Sequence, residues 1–195
     1  MDNSYADQND PAITVKFALD VNGPEWQNTF ILAWTTTPWT IPVNIALAVN
    51  KAVEYVRVRA GNEDYIIAKN RIETVFHGKE HKILGDVSAE SLIGLRYVPP
   101  YDTYYGKTGN DADHRVYHAD FITDTDGTGI GHEAPEFGDV DFELAKQVGL
   151  TVTEALDNEG RYTAQVARFQ GRFYRDMNDA IIAELAEMNR LWRKE

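Results

Sequence analysis

Six short runs of strand-forming residues, set apart by turn signals and with few helical stretches between them, constrain this chain more than any other feature. Ile13-Thr14-Val15-Lys16-Phe17-Ala18-Leu19 alternates, and Thr29-Phe30-Ile31-Leu32-Ala33-Trp34 is apolar almost throughout, as in a strand covered on both faces. Further strands are expected over 46–49, 54–59, 65–68 and 116–122. Gly61-Asn62-Glu63-Asp64 reads as a hairpin loop, and 70–76 as a short helix closed by Gly78. Such a pattern predicts a strand-dominated α+β domain, a barrel or strongly curved sheet with a few peripheral helices.

Two longer helices stand out. Residues 139–148 carry Phe142, Leu144, Ala145 and Val148 on one face, with an acidic start and Gly149 as a stop. Near the end Met177, Ile181, Ile182, Leu185, Met188 and Leu191 recur at helical spacing with Asp176 as N-cap, which predicts a C-terminal helix over 176–195. A helix ending in Arg193-Lys194 leaves no closing element, so the chain reads as one domain, 1–195, cut from a longer polypeptide. Residues 1–12 are expected to form a flexible N-terminal segment.

The 195 residues, 43% hydrophobic and 26% charged, are enough for one substantial core. No run approaches the ~18 apolar residues of a membrane span, and Met1-Asp2-Asn3-Ser4 does not show a basic region leading into an apolar one, so neither secretion nor membrane insertion is expected. The absence of cysteine removes disulfides and thiolate zinc sites, and a cytoplasmic location without membrane contact is expected. A formal charge of −12 argues against nucleic acid, since phosphate binding depends on Lys and Arg. Arg161, Arg168, Arg172 and Arg175 nevertheless lie in an acid-free stretch with Tyr162, Phe169, Phe173 and Tyr174. That mixture can pair with phosphates and stack on unpaired bases; it is equally the composition of a solvated basic face whose aromatics fill the core.

Two segments carry candidate chemistry. In Trp34-Thr35-Thr36-Thr37-Pro38-Trp39-Thr40 a strand would alternate its side chains, so three threonines cannot share one core, and Pro38 ends the ladder. Hydroxyls and freed amides are left at a strand end, although threonine is also simply a good strand former. Trp39 is either a pocket wall or core. The second segment is Gly127-Thr128-Gly129-Ile130-Gly131-His132-Glu133-Ala134-Pro135, followed by Asp139-Val140-Asp141. Its glycines permit close backbone approach and Pro135 precludes a regular helix, so His132 is expected on irregular backbone. Asp141 falls in the first turn of the next helix, where the dipole favours a carboxylate, either as a cap or as a holder of an ammonium group.

No metal is expected. His132-Glu133-Ala134-Pro135-Glu136 lacks the second histidine of a zincin helix, and neither His77 with His81 nor His114 with His118 has an acidic or cysteine partner in a recognisable pattern. Asp124-Thr125-Asp126-Gly127 is only a fragment of a calcium loop, and there is no Walker A loop or dinucleotide fingerprint.

Trp34 through Pro42-Val43-Asn44 resembles the threonine-rich signature of the editing insertion shared by isoleucyl-, valyl- and leucyl-tRNA synthetases. Gly127 through His132, Ala134-Pro135, Gly138 and Asp141, then 146–150, resembles its second signature, with the expected nine-residue step from histidine to aspartate. Valine and leucine relatives usually carry Arg-Pro-Glu-Thr or Arg-Pro-Asp-Thr after the first threonines, so Thr37-Pro38-Trp39-Thr40 points to the isoleucine family. Gly131 departs from the branched residue more usual there, and the parent's ATP-binding motifs are absent.

The resemblance implies a β-barrel-like editing domain that hydrolyses valine from the acceptor end of isoleucine tRNA, and by analogy valyl-adenylate. It also implies that the partners are that tRNA and the remainder of a synthetase chain, that the isolated domain is monomeric, and that editing needs no cofactor, ATP and Mg serving only the absent synthetic domain. By the same resemblance Thr35, Thr36, Thr37, His132 and Asp141 would be catalytic, with Trp39, Asn44, Gly131 and Asp141 contacting substrate. Asp141 would take the α-ammonium, the threonines would position ester and water, and His132 would gate side-chain size rather than act as general base. The arginines 161, 168, 172 and 175 would meet tRNA. A free-standing deacylase of mischarged tRNA and a silent tRNA-binding module are the alternatives.

Overall fold

The computed structural model describes residues 11–21 and 23–195; the expected N-terminal segment 1–12 falls mostly outside them. The strands are β1 (Ile13–Leu19), β2 (Thr29–Thr35), β3 (Ala46–Val49), β4 (Tyr55–Ala60), β5 (Glu63–Ala68), β6 (Lys82–Val87), β7 (Tyr97–Val98), β8 (Val116–His118), β9 (Gly131–Glu133) and β10 (Leu191–Lys194). The α-helices are α1 (Ile72–Val75), α2 (Ala89–Leu92), α3 (Asp139–Val148) and α4 (Asn178–Glu187). The larger sheet has the order β10-β1-β2-β5-β4-β6, with β7 on the far end of β1; the smaller is β8-β3-β9. Among the described residues only β2/β5 and β3/β8 run parallel. This is the strand-dominated α+β fold that the sequence predicts, but the large sheet ends on β10 and β6 and does not close into a barrel.

The apolar run of β2 is a central strand that feeds two cores. Ile31 and Ala33 pack with Phe17, Ile45 and Leu47, whereas Leu32 packs with Val56, Val58 and Phe76 on the other side. Because successive side chains of a strand point to opposite faces, a strand covered on both sides has no polar position to alternate with.

Local punctuation is tighter than the sequence pattern predicts. Ala60 pairs with Glu63, so the hairpin loop is only Gly61-Asn62, and Asp64 lies in β5, held by Arg57 and Arg59. The strand expected over 116–122 stops at His118, and a turn follows in which Asn50 Nδ2 donates to the carbonyls of Asp120 and Ile122. Helix 139–148 is present as expected, with Gly149 left-handed at φ 77°.

The C-terminal helix is the main correction. It occupies Asn178–Glu187 rather than 176–195, is entered through a 3-10 turn with Met177, not Asp176, at the N-cap position, and ends before Asn189 in the left-handed region at φ 55°. Leu191–Lys194 is instead an edge strand paired to Ile13, Thr14 and Val15. The open edge of β1 offers backbone partners that helical spacing in the sequence cannot reveal. Trp192 then packs on Tyr65 and Phe76 and donates Nε1–H to the Val75 carbonyl.

The second motif reaches the end of β2 because two of its residues have no side chain. A Cβ on Gly129, at φ 74°, would lie 2.3 Å from that of Ala68, and one on Gly127 would lie 2.8 Å from that of Trp34. Ala68 N–H donates to the Thr128 carbonyl across this contact, at 2.8 Å.

Candidate active site

The ladder ends at Thr35, and Pro38 opens a 3-10 helix over Pro38–Val43, so the chain turns back on itself at the threonines. Thr35 is buried, Thr37 partly so, and Thr36 is exposed. Thr35 Oγ1 accepts from Thr37 N–H at 3.0 Å and lies 3.0 Å from Thr37 Oγ1, which lies 3.2 Å from Thr40 Oγ1. Thr40 was no site candidate in the sequence, yet it joins the two motifs: its hydroxyl is 2.9 Å from His132 Nε2.

The protonation of His132 follows from its neighbours. Asn44 Nδ2 lies 2.9 Å from the Ala46 carbonyl, which can only accept, so that atom is the amide nitrogen; it also lies 2.8 Å from His132 Nδ1. Nδ1 is therefore the acceptor. On the other side Thr40 Oγ1 donates its one proton to the Thr37 carbonyl at 2.8 Å, so it must accept from Nε2–H. Both arguments give the same neutral Nε2–H tautomer, with no free lone pair on the ring. The buried phenol of Tyr97 donates to Asn44 Oδ1 at 2.5 Å, and Phe17 lies near-parallel to the imidazole at 6.4 Å. The ring keeps some accessible surface but is densely surrounded, and that burial lowers its pKa to about 3.

This arrangement has a solution consequence. An unfolded chain binds a proton at His132 near the ordinary 6.5, whereas the folded ring refuses it down to about 3. The contribution of His132 to stability is thus complete above 6.5 and declines as the pH falls below it. Imidazole ¹⁵N shifts should show the Nε2–H tautomer in the folded protein and no titration near 6.5. Asn44→Asp, which puts an acceptor opposite Nδ1, should move the proton to Nδ1 and raise the pKa.

Asn44, a substrate contact in the sequence reading, is 3% exposed and fully engaged, so it acts through His132. Asp141 is the third residue of α3 but not its cap; Gly138 holds the N-cap position, and Asp141 Oδ2 accepts Ala134 N–H at 2.9 Å, tying the helix to the segment after His132. Among the described residues no hydrogen bond joins Asp141 to the threonine–histidine network. Trp39 lies edge-on to Phe137, whose place in the chain is between His132 and Asp141, and packs on Tyr174, while its carbonyl accepts from Tyr162 OH. It is a partly buried wall where the first motif, the second motif and the arginine segment meet. Gly131 provides space: a Cβ there would come 2.5 Å from both Glu133 Oε1 and Ile122 Cδ1, so the branched residue more usual at this position would require those two side chains to shift.

The arginine segment is divided. Arg161, Arg168, Arg172 and Arg175 are all exposed, but Tyr162 and Phe169 fill the core, and Arg168 is engaged by Glu184 at 2.9 Å. Sequence reasoning did not single out Thr40, Tyr97 or Glu133 as site residues. Tyr97 carries no local signal, whereas Thr40 stands in the first motif and Glu133 in the second.

Known proteins similar to this chain are isoleucine–tRNA ligases. The chain is 36% identical over its whole length to the isoleucine–tRNA ligase of Nocardia farcinica, covering 19% of that protein. It is 41% identical over 93% of its length to that of Methanothermobacter thermautotrophicus, covering 17%. The chain is homologous to an internal domain of the isoleucine–tRNA ligases. It spans about a fifth of the length of these relatives. Its fold is that of the leucyl-tRNA synthetase editing domains: TM-score 0.72 to GlLeuRS-CP1 at 15% identity, over 92% of this chain and 97% of that one. The P. falciparum cytosolic leucyl-tRNA synthetase editing domain gives 0.64 at 10% identity, over 92% and 98%. No family model matches.

Proposed function

We propose that this domain hydrolyses valine from isoleucine tRNA, as the editing module of an isoleucyl-tRNA synthetase in the cytoplasm. The observation that carries the reading is the rigid, neutral His132 at the end of a threonine hydroxyl chain, on a chain homologous to the isoleucine enzymes. A pocket for isoleucine rejects valine only weakly, one methylene being worth about 1–3 kcal/mol, and this pair of amino acids is the standard illustration of that limit. A second site that admits valine and excludes isoleucine supplies the missing discrimination.

The residues divide the work. Asp141 takes the α-ammonium of the ester. Exposed Thr36 with Thr35 and Thr37 positions the ester carbonyl, the ribose and the attacking water by hydrogen bonding. His132, held at both ring nitrogens, is a stiff wall against the extra methyl of isoleucine. Among the described residues the hydroxyls of Thr35, Thr37 and Thr40 have no carboxylate or free imidazole nitrogen as a base partner, so the reaction is direct attack of water on the ester rather than a covalent relay. Arg172 and Arg175, with Arg161, are the tRNA contacts; the remainder of a synthetase chain is the other partner.

Single-turnover deacylation tests this. Valyl-tRNA(Ile) should be hydrolysed at least about tenfold faster than isoleucyl-tRNA(Ile). Equal rates would end the sieve reading, and binding without hydrolysis of either ester would leave a silent acceptor-end binder.

A further inference from the structure

One acid near the site is not used by the threonine–histidine network. Glu133 follows His132 on β9 and so points to the opposite face of the strand, where it is 1% exposed. Its Oε1 occupies the space that a side chain on Gly131 would fill, beside Ile122. Its Oε2 is enclosed, with no hydrogen-bond donor in reach among the described residues. A carboxylate does not persist uncompensated in such surroundings.

Asp141 is its partner. Its Oδ2 sits on the amide of Ala134, the residue that follows Glu133, at 2.9 Å, which brings the two carboxyl groups side by side, where a proton on one of them relieves the repulsion. Asp141 already accepts the Ala134 N–H, and Gly138 leaves it room, since a Cβ there would lie 2.8 Å from Asp141 Oδ1. Burial first, and the charge of Asp141 second, push Glu133 well above the usual carboxylate range. Neither the buried phenol of Tyr97 nor the neutral ring of the preceding residue, His132, supplies a positive charge to it.

We propose that Glu133 is a neutral carboxylic acid whose O–H clamps Asp141, making it the positioning residue for the carboxylate that receives the substrate's ammonium group. The Ala134 N–H and the Glu133 O–H then fix Asp141 from the protein side and leave its remaining lone pairs for the ligand. This rests on the function proposed above.

The test compares Glu133→Gln, which keeps a neutral donor, with Glu133→Met, which keeps only the volume. Single-turnover hydrolysis of valyl-tRNA(Ile) is measured over substrate concentration, beside thermal melts and a ¹³C titration of the glutamate carboxyl carbons. Met should raise KM about tenfold or more with a smaller change in kcat, Gln should rescue most of that loss, and Glu133 should be protonated at neutral pH. Equal damage by Gln and Met would show that the anion matters; harmless Met would show that Glu133 only fills space; an ionised Glu133 at neutral pH would refute the clamp directly. The ¹³C arm needs no substrate, and in it Asp141→Asn should lower the Glu133 pKa. A wild-type domain that does not hydrolyse the ester but holds Glu133 protonated would therefore overturn the proposed function and not the carboxyl pair.

Discussion

Asp141→Asn should lower kcat/KM for valyl-tRNA(Ile) hydrolysis by on the order of 10²-fold or more, with the melting temperature almost unchanged. The asparagine oxygen can still accept Ala134 N–H, so the tie between α3 and the histidine segment survives, while the negative charge that takes the ammonium group is gone. Asp141→Ala should show the same catalytic loss and also destabilise the domain by about 1–3 kcal/mol, because the Ala134 amide is left without its acceptor. If Asp141 merely anchored the helix, the Asn variant would keep its rate and the Ala variant would lose only stability. Deacylation rates and melts on both variants separate these outcomes.

His132→Ala should open the pocket to isoleucyl-tRNA(Ile), converting a rejected ester into a substrate, while hydrolysis of valyl-tRNA(Ile) persists. The basis is the state of the ring: Nδ1 accepts from Asn44, Nε2–H donates to Thr40, and burial holds the pKa near about 3. Such an imidazole has no lone pair to offer a water at neutral pH. A histidine acting as general base would give the opposite result, both esters losing about 10²–10⁴-fold together and the wild-type rate falling through pH about 6.5. The rate attributable to His132 should instead be level across that range. A variant dead toward both esters would remove the gate assignment.

Much of this site is legible in the chain because its parts sit in two short segments with strong local grammar. Thr35 lies at the end of a strand that Pro38 cannot continue, and Gly127 and Gly129 permit an approach that a Cβ would block. The arginine segment was only half legible: its composition is the same whether Tyr162 and Phe169 face a nucleic acid or the core, and they face the core. The end of α4 was misread for a similar reason. Met188 and Leu191 keep the helical spacing, but the conformation of Asn189 and the free edge of β1 take Leu191–Lys194 into the sheet.

The sequence by itself determined the strand-dominated class, the order of the principal elements and the two segments that meet at the site, because periodicity, proline and glycine act over a few residues. The tertiary structure alone decided the state of the groups there. Asn44 reaches Nδ1 of His132 across 88 positions and Tyr97 reaches Asn44 across 53, and these bonds set the tautomer. Whether Glu133 bears a charge likewise depends on the apolar enclosure around it and on Asp141. Hydrogen-bond direction and desolvation belong to neighbours in space, which the order of residues along a chain does not specify.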